Sequence, residues 1–194
     1  MTEDQRLDEH FTLTYRAGYS SRYHRRRSSF LTLIDTLSNI IAILSGSSVV
    51  LTLTQGGPVF IAQMAGLVVT ALAIMQIVIG FGPLGARHAE WMRAWDKLAN
   101  DIRAKPNPTE RDLRHWHDRR AEIEGECVSE LRALGYDCEN QTKTHMGIAQ
   151  GHVRIGRLQR LFIQIGTFQG EFPEIVNPVP PPSREDAEPV PLSE

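Results

Sequence analysis

A chain of 194 residues with a formal net charge of −2 has room for one domain, or for a membrane hairpin with a modest polar part, and its charge balance gives no sign of a nucleic-acid protein. Mean hydropathy is slightly negative, as in an ordinary soluble protein. That average conceals a separation: apolar residues are concentrated between Phe30 and Leu84, and both flanks are heavily charged.

The N-terminus, Met1-Thr2-Glu3-Asp4-Gln5, is acidic and polar, unlike the basic start and early apolar core of a cleaved signal peptide. Residues 1–27 read as a cytosolic amphipathic lead-in. Phe11, Tyr15, Tyr19 and Tyr23 recur at intervals that form a stripe on a helix, best explained as a packing face. Arg22, Arg25, Arg26 and Arg27, with His24 among them, close this segment.

The transmembrane hairpin is expected over 28–86, with helices at about 28–53 and 59–84. About 20 residues at ~1.5 Å each cross the hydrocarbon core. Val59 to Ala86 contains no charged residue; Ser28 to Leu53 carries Asp35, Asn39 and several serines in a sequence otherwise rich in Leu, Ile, Val and Ala. Between them Thr54-Gln55-Gly56-Gly57-Pro58 is a strong break, and Pro58 is placed to begin the second helix. So short a connection joins only antiparallel neighbours. The basic flank before the first helix, Arg87 and Arg93 after the second, and the uncharged turn put both termini in the cytoplasm by the positive-inside bias. Arg22, Arg25, Arg26, Arg27 and Arg87 are therefore read as topology and headgroup anchors.

Asp35 is the most informative single residue. A charged side chain at mid-membrane costs ~2.5–3.5 kcal/mol on insertion scales, and less near the interface. At helical spacing Asp35, Ser38, Asn39, Ala42 and Gly46 share one face, with Ser45 at its border; Leu33, Leu37, Ile40, Leu44 and Leu51 form the opposite stripe. One reading has the small polar face packing closely on the second helix, through Ser38, Ala42 and Gly46. The other has several copies turning it inward to line an aqueous path, with Asp35 as a charged ring near the cytosolic mouth. Ala62, Gly66 and Thr70, with Gln63 nearby, suggest helix packing in the second helix.

A cytosolic helical hairpin is expected over 87–135. Trp91, Trp95, Leu98 and Ile102 repeat at helical spacing, and Pro106 and Pro108 stop that helix. Thr109 is placed to cap the next, with Asp112 as its partner. That helix is expected to carry Leu113, Trp116, Ile123, Cys127, Leu131 and Leu134, and to end at Gly135. Trp91, Trp95, Leu98, Leu113 and Trp116 would hold either this hairpin or an interface between subunits.

Residues 136–176 form a basic amphipathic region. Leu158, Leu161, Phe162 and Ile165 make one short face; Arg154, Arg157 and Arg160 line another; and Gly147 to Phe168 lacks acidic residues. An interfacial helix on the anionic inner leaflet and a helix docked on the cytosolic hairpin explain it equally well, and its glycines weaken any helix. Residues 177–194, rich in Pro and acid, read as a disordered tail.

Chemistry-bearing motifs are missing. His115, His117, Cys127 and Cys138 lack zinc-ligand spacing, and the two cysteines do not suggest a disulfide framework. No nucleophile elbow, phosphate loop or His-Glu-x-x-His motif occurs. No enzyme activity, metal or cofactor is expected. The fold expected is all-α and integral to the membrane: a two-helix transmembrane hairpin with an amphipathic N-terminal helix and a cytosolic helical hairpin.

The layout resembles the SLATT family, two-transmembrane effectors associated with bacterial nucleotide-second-messenger conflict systems. The resemblance covers roughly residues 10–135. It rests on Tyr19-Ser20-Ser21-Arg22-Tyr23-His24-Arg25-Arg26-Arg27, the polar-spotted first helix, the short turn, and the helix beginning at Arg87. It implies a membrane-perturbing, pore-forming effector of antiviral defence and cell suicide, with no catalytic motif to carry over. Without a fused sensor domain, its trigger would be a nucleotide second messenger or a sensor protein. The leading expectation is a homo-oligomer that permeabilises the bacterial inner membrane. Alternatives are a non-conducting anchor that recruits a cytosolic partner, and a holin-like lysis protein.

Overall fold

The computed structural model describes residues 1–126, 131–166 and 172–173. Its elements are helices: α1 Glu3–Gln55, α2 Val59–Ile79, α3 Phe81–Arg103, α4 Glu110–Glu126, α5 Arg132–His145 and α6 Arg157–Leu161. The chain divides into two units, one of Met1–Tyr23 with Arg93–Glu194, the other of His24–Met92.

The lead-in and the first expected membrane segment are one helix of 53 residues. Between Glu3 and Gln55 there is no proline, and the glycines at 18 and 46 are too far apart to break a helix this well populated. In the His24–Met92 unit α1 ends at the expected turn. Gly56 adopts φ +68, and the Gly57 N–H returns to the Thr52 carbonyl at 2.9 Å, the bond that closes a left-handed helix terminus. Pro58 lies in the extended region just before α2. The second helix does not run to Leu84 as expected. It stops at Ile79, because Gly80 takes the left-handed conformation (φ 64) and its N–H caps onto the Gln76 carbonyl. The 21 residues of α2 still measure about 31 Å, the thickness of a hydrocarbon core.

Among the described residues two helices are long and apolar enough to cross a membrane, and only 6% and 0% of their apolar stretches are buried inside the protein. The core helix of a soluble domain would be mostly covered. Leu33, Leu37, Ile40, Leu44 and Leu51 are all exposed, as are Val59, Phe60, Leu67, Ile74, Ile77 and Val78.

The other unit is built from α1 up to Tyr23, α3 from Arg93, and α4 to α6. Its core joins Leu13 and Ala17 of α1, Trp95, Leu98, Ala99 and Ile102 of α3, Leu113, Trp116 and Ile123 of α4, and Leu134 and Cys138 of α5. Side-chain bonds fix the partners: His10 Nε2 to the Ile102 carbonyl at 3.1 Å, and the Tyr15 hydroxyl donating to Glu139 at 3.2 Å. The Tyr23 hydroxyl accepts the Leu131 N–H at 2.9 Å. The aromatic stripe is thus only partly a packing face. Tyr23 is buried and Tyr19 packs beside it, but Phe11 is exposed. The expected capping box is present: the Thr109 N–H donates to Asp112 at 3.1 Å and the Asp112 N–H to the Thr109 hydroxyl at 3.3 Å.

Two further boundaries differ from expectation. Leu131 and Leu134 do not continue the helix of Leu113: Leu131 is extended (φ −77, ψ 114) and a new helix starts at Arg132. Gly135 is not a terminator but a buried residue in the first turn of α5, its N–H bonded to the Leu131 carbonyl at 2.8 Å. Of the basic amphipathic region, residues 136–145 belong to α5, and among the described residues after them the one helix is α6, of five residues. Leu158, Leu161, Phe162 and Ile165 stay exposed rather than docked, and Ile155 and Ile163 are the residues that enter the core. Cys138 is buried. Cys127 and the 177–194 tail lie outside the described residues.

Candidate functional site

The polar residues of the membrane-competent hairpin sort into two groups. Most hydroxyls are satisfied by their own helix. Thr36, Ser47, Thr52 and Thr54 each donate to the carbonyl four residues earlier, Ser48 donates to Ser45, and in α2 Thr70 donates to Gly66, all at 2.8–2.9 Å. Such back-bonds need neither water nor a partner helix. The second group bonds side chain to side chain. Gln76 Nε2 of α2 donates to Asn39 Oδ1 of α1 at 2.9 Å, and Asn39 Nδ2 donates, at a long 3.4 Å, to Asp35 Oδ2.

This ladder ends at the carboxylate. Among the described residues Asp35 has no ion pair, with Arg27 or Arg87 or any other cation. Its oxygens face Gly82, just past the Gly80 turn; a methyl added at Gly82 would lie 3.3 Å from both of them. A carboxylate is acceptor-only, so the remaining lone pairs suit water or a cation.

The expected face is present but packs differently. Ser38 is buried at 7%, and Asp35, Ala42, Ser45 and Gly46 are half-buried while Asn39 is exposed. The close approach, however, is not at Gly46 or Gly66, where an added Cβ would meet nothing within 4 Å. It lies at the foot of the hairpin. A Cβ on Gly85 would sit 3.3 Å from the Leu31 Cβ and from the Thr32 hydroxyl, and the Ser28 hydroxyl donates to the Gly85 carbonyl at 2.9 Å. On α2, Thr70 and Gln63 are exposed, and the covered line runs through Ala62, Ala65, Val69, Leu72 and Gln76.

No family model matches this chain. Searches of curated proteins and of solved structures return no match either.

Below the glycines lies a histidine pair. His24 Nδ1 and His88 Nδ1 are 2.9 Å apart, and Trp91 meets His88 edge-on at 5.1 Å. That separation needs one ring to carry its proton on Nδ1 and the other to offer a bare Nδ1, so the two rings cannot both be charged, and burial favours the pair with neither charged. Burial pushes both down to about 4; His88 adds to the effect on His24, and Arg27 to that on His88. The folded values lie below the ordinary 6.5, so the unfolded chain binds more protons between pH 6.5 and 4. Stability is thus complete above pH 6.5 and drains away as pH falls toward 4. Thermal unfolding in mild detergent should show this slope, and His88→Gln should flatten it; a wild-type midpoint independent of pH over that window would contradict the neutral pair.

The other expected site residues take varied positions. Arg25 and Arg87 are exposed; Arg26 and Arg27 are half-buried, with Arg27 over the Phe30 ring at 5.9 Å. Arg22 donates to the Gln141 carbonyl at 2.8 Å, a contact within the protein. Trp95, Leu98, Leu113 and Trp116 are buried in the core of one chain, which leaves them no free face for a second copy, and Trp91 packs with the histidines. Among the described residues no cluster of three or more His, Cys, Asp or Glu is placed to hold a metal. Sequence reasoning missed Gln76, Gly82, Gly85 and His88. The one available signal was Gln76, a polar side chain deep in an uncharged run.

Proposed function

We propose that this chain is an oligomeric two-transmembrane effector of bacterial antiviral defence that permeabilises the inner membrane when triggered. The observation that carries the reading is the Asp35–Asn39–Gln76 ladder, which ends in a carboxylate without a countercharge inside an otherwise apolar hairpin. A carboxylate so placed is costly in lipid and is relieved by water and cations. Two helices cannot enclose a water-filled path, so assembly is required. The resemblance to SLATT effectors points the same way, and the basic flanks favour an inner-membrane protein with both termini in the cytoplasm.

A second reading, a non-conducting anchor with a partner-binding cytosolic unit, is favoured by the hydroxyls that bond their own helices. Those residues make the first helix polar in composition without demanding water. The two readings separate in cells and vesicles. Induced expression should collapse the signal of a membrane-potential dye, and cross-linked oligomers in vesicles should release trapped ions. Assembled protein that leaves cells polarised and vesicles tight would overturn the effector and leave the anchor.

A further inference from the structure

From the α6 region we infer a second membrane contact, a surface that rests on anionic lipid. Its base is fixed: Asn140 holds Val153 by two bonds of 2.7 and 2.9 Å, His152 is buried, and Ile155 and Ile163 enter the core cluster. From that base four large apolar side chains project into the open: Leu158 at 73%, Leu161 at 72%, Phe162 at 47% and Ile165 at 70% exposure. Leu158 and Leu161 lie one turn apart on α6, and Phe162 and Ile165 follow in the turns directly after it.

Charge names the occupant. Arg154, Arg157 and Arg160 are exposed beside the apolar set, and none has an ion-pair partner among the described residues. No acidic residue occurs from Gly147 to Phe168. A basic rim around exposed leucine, isoleucine and phenylalanine matches the headgroup and acyl boundary of an anionic leaflet; an acidic protein partner would not call for so much bare hydrocarbon. The two membrane-competent helices of the same chain keep a bilayer within reach. The inference does not depend on conduction, and the test below reads no ion flux.

Full-length protein carrying Leu161→Cys, labelled with an environment-sensitive fluorophore in a Cys127→Ser background, suits the test, because Cys138 is buried and stays unlabelled. It would be reconstituted in nanodiscs of phosphatidylcholine alone, or with about one-third phosphatidylglycerol. Blue-shifted emission and quenching by brominated lipid are expected with the anionic lipid, and each of Arg157→Gln and Arg160→Gln should weaken that partitioning about fivefold. Water-like emission in both lipids would overturn the inference. So would a blue shift that ignores lipid charge and appears only with two copies per disc, which would mark a self-association face. So, too, would a shift that depends on residues 177–194 rather than on the lipid.

Discussion

Asp35→Asn is expected to lower the cation preference of reconstituted, assembled protein about fivefold. The change keeps the size of the side chain and its bond from Asn39, and removes only the charge. A unit charge about 4 Å from an ion in a watery path is worth ~1 kcal/mol, which corresponds to that factor. Because Asp35 has no ion-pair partner among the described residues, the change should cost little folding stability. Reversal potentials under a salt gradient would give the preference directly. Gly46→Leu is the companion variant. An added Cβ there meets nothing within 4 Å in its own chain, so the first carbon of the larger side chain causes no clash within one copy. Flux unchanged by both substitutions would move the lining elsewhere.

Trp95→Ala should be the most destabilising core truncation, by about 3–5 kcal/mol. Trp95 is 1% exposed and lies among the core residues contributed by four helices. Its Nε1–H is buried without a hydrogen-bond partner, so the indole contributes packing and no polar bond. Trp95→Phe should therefore cost much less than Trp95→Ala, since it leaves a smaller void and deletes an unsatisfied donor. Pulse proteolysis of full-length protein in mild detergent across a denaturant series would rank the two. Equal losses would show that the indole nitrogen is satisfied after all.

Where the sequence was readable, a local chemical signal and the tertiary structure agreed. Gly56-Gly57-Pro58 ends one helix and opens another because no longer-range contact competes with it. Thr109 and Asp112 find each other within one turn. The failures came where a contact distant in sequence decided the outcome. The periodicity of Leu113 through Leu134 suggests one helix, yet Leu131 is extended and a new helix starts at Arg132, where the Leu131 N–H is held by Tyr23. Gly80 inside an apolar run looks like a packing residue, and only its backbone angle reveals a helix end. The small residues near mid-helix suggested close approach; the close approach falls instead at Gly82 and Gly85, whose neighbours Asp35 and Leu31 are fifty residues away in the chain by rough count. The Asp35–Asn39 pair was legible from its spacing, but Gln76 as its partner needed the antiparallel register.

The cross-helix bond from Gln76 to Asn39 also bears on biogenesis. When the first apolar stretch leaves the ribosome, Asn39 and Asp35 have only each other, and their donor has not yet been synthesised. That stretch is also the less apolar of the two, with Asp35, Asn39 and several serines where the later one carries no charge. A chain inserted as proposed would therefore commit to the bilayer late. The first stretch would wait at the translocon until α2 emerges with its stronger drive and its glutamine, and the two would partition together. A stop in synthesis between the two stretches would leave a nascent chain poorly held by lipid.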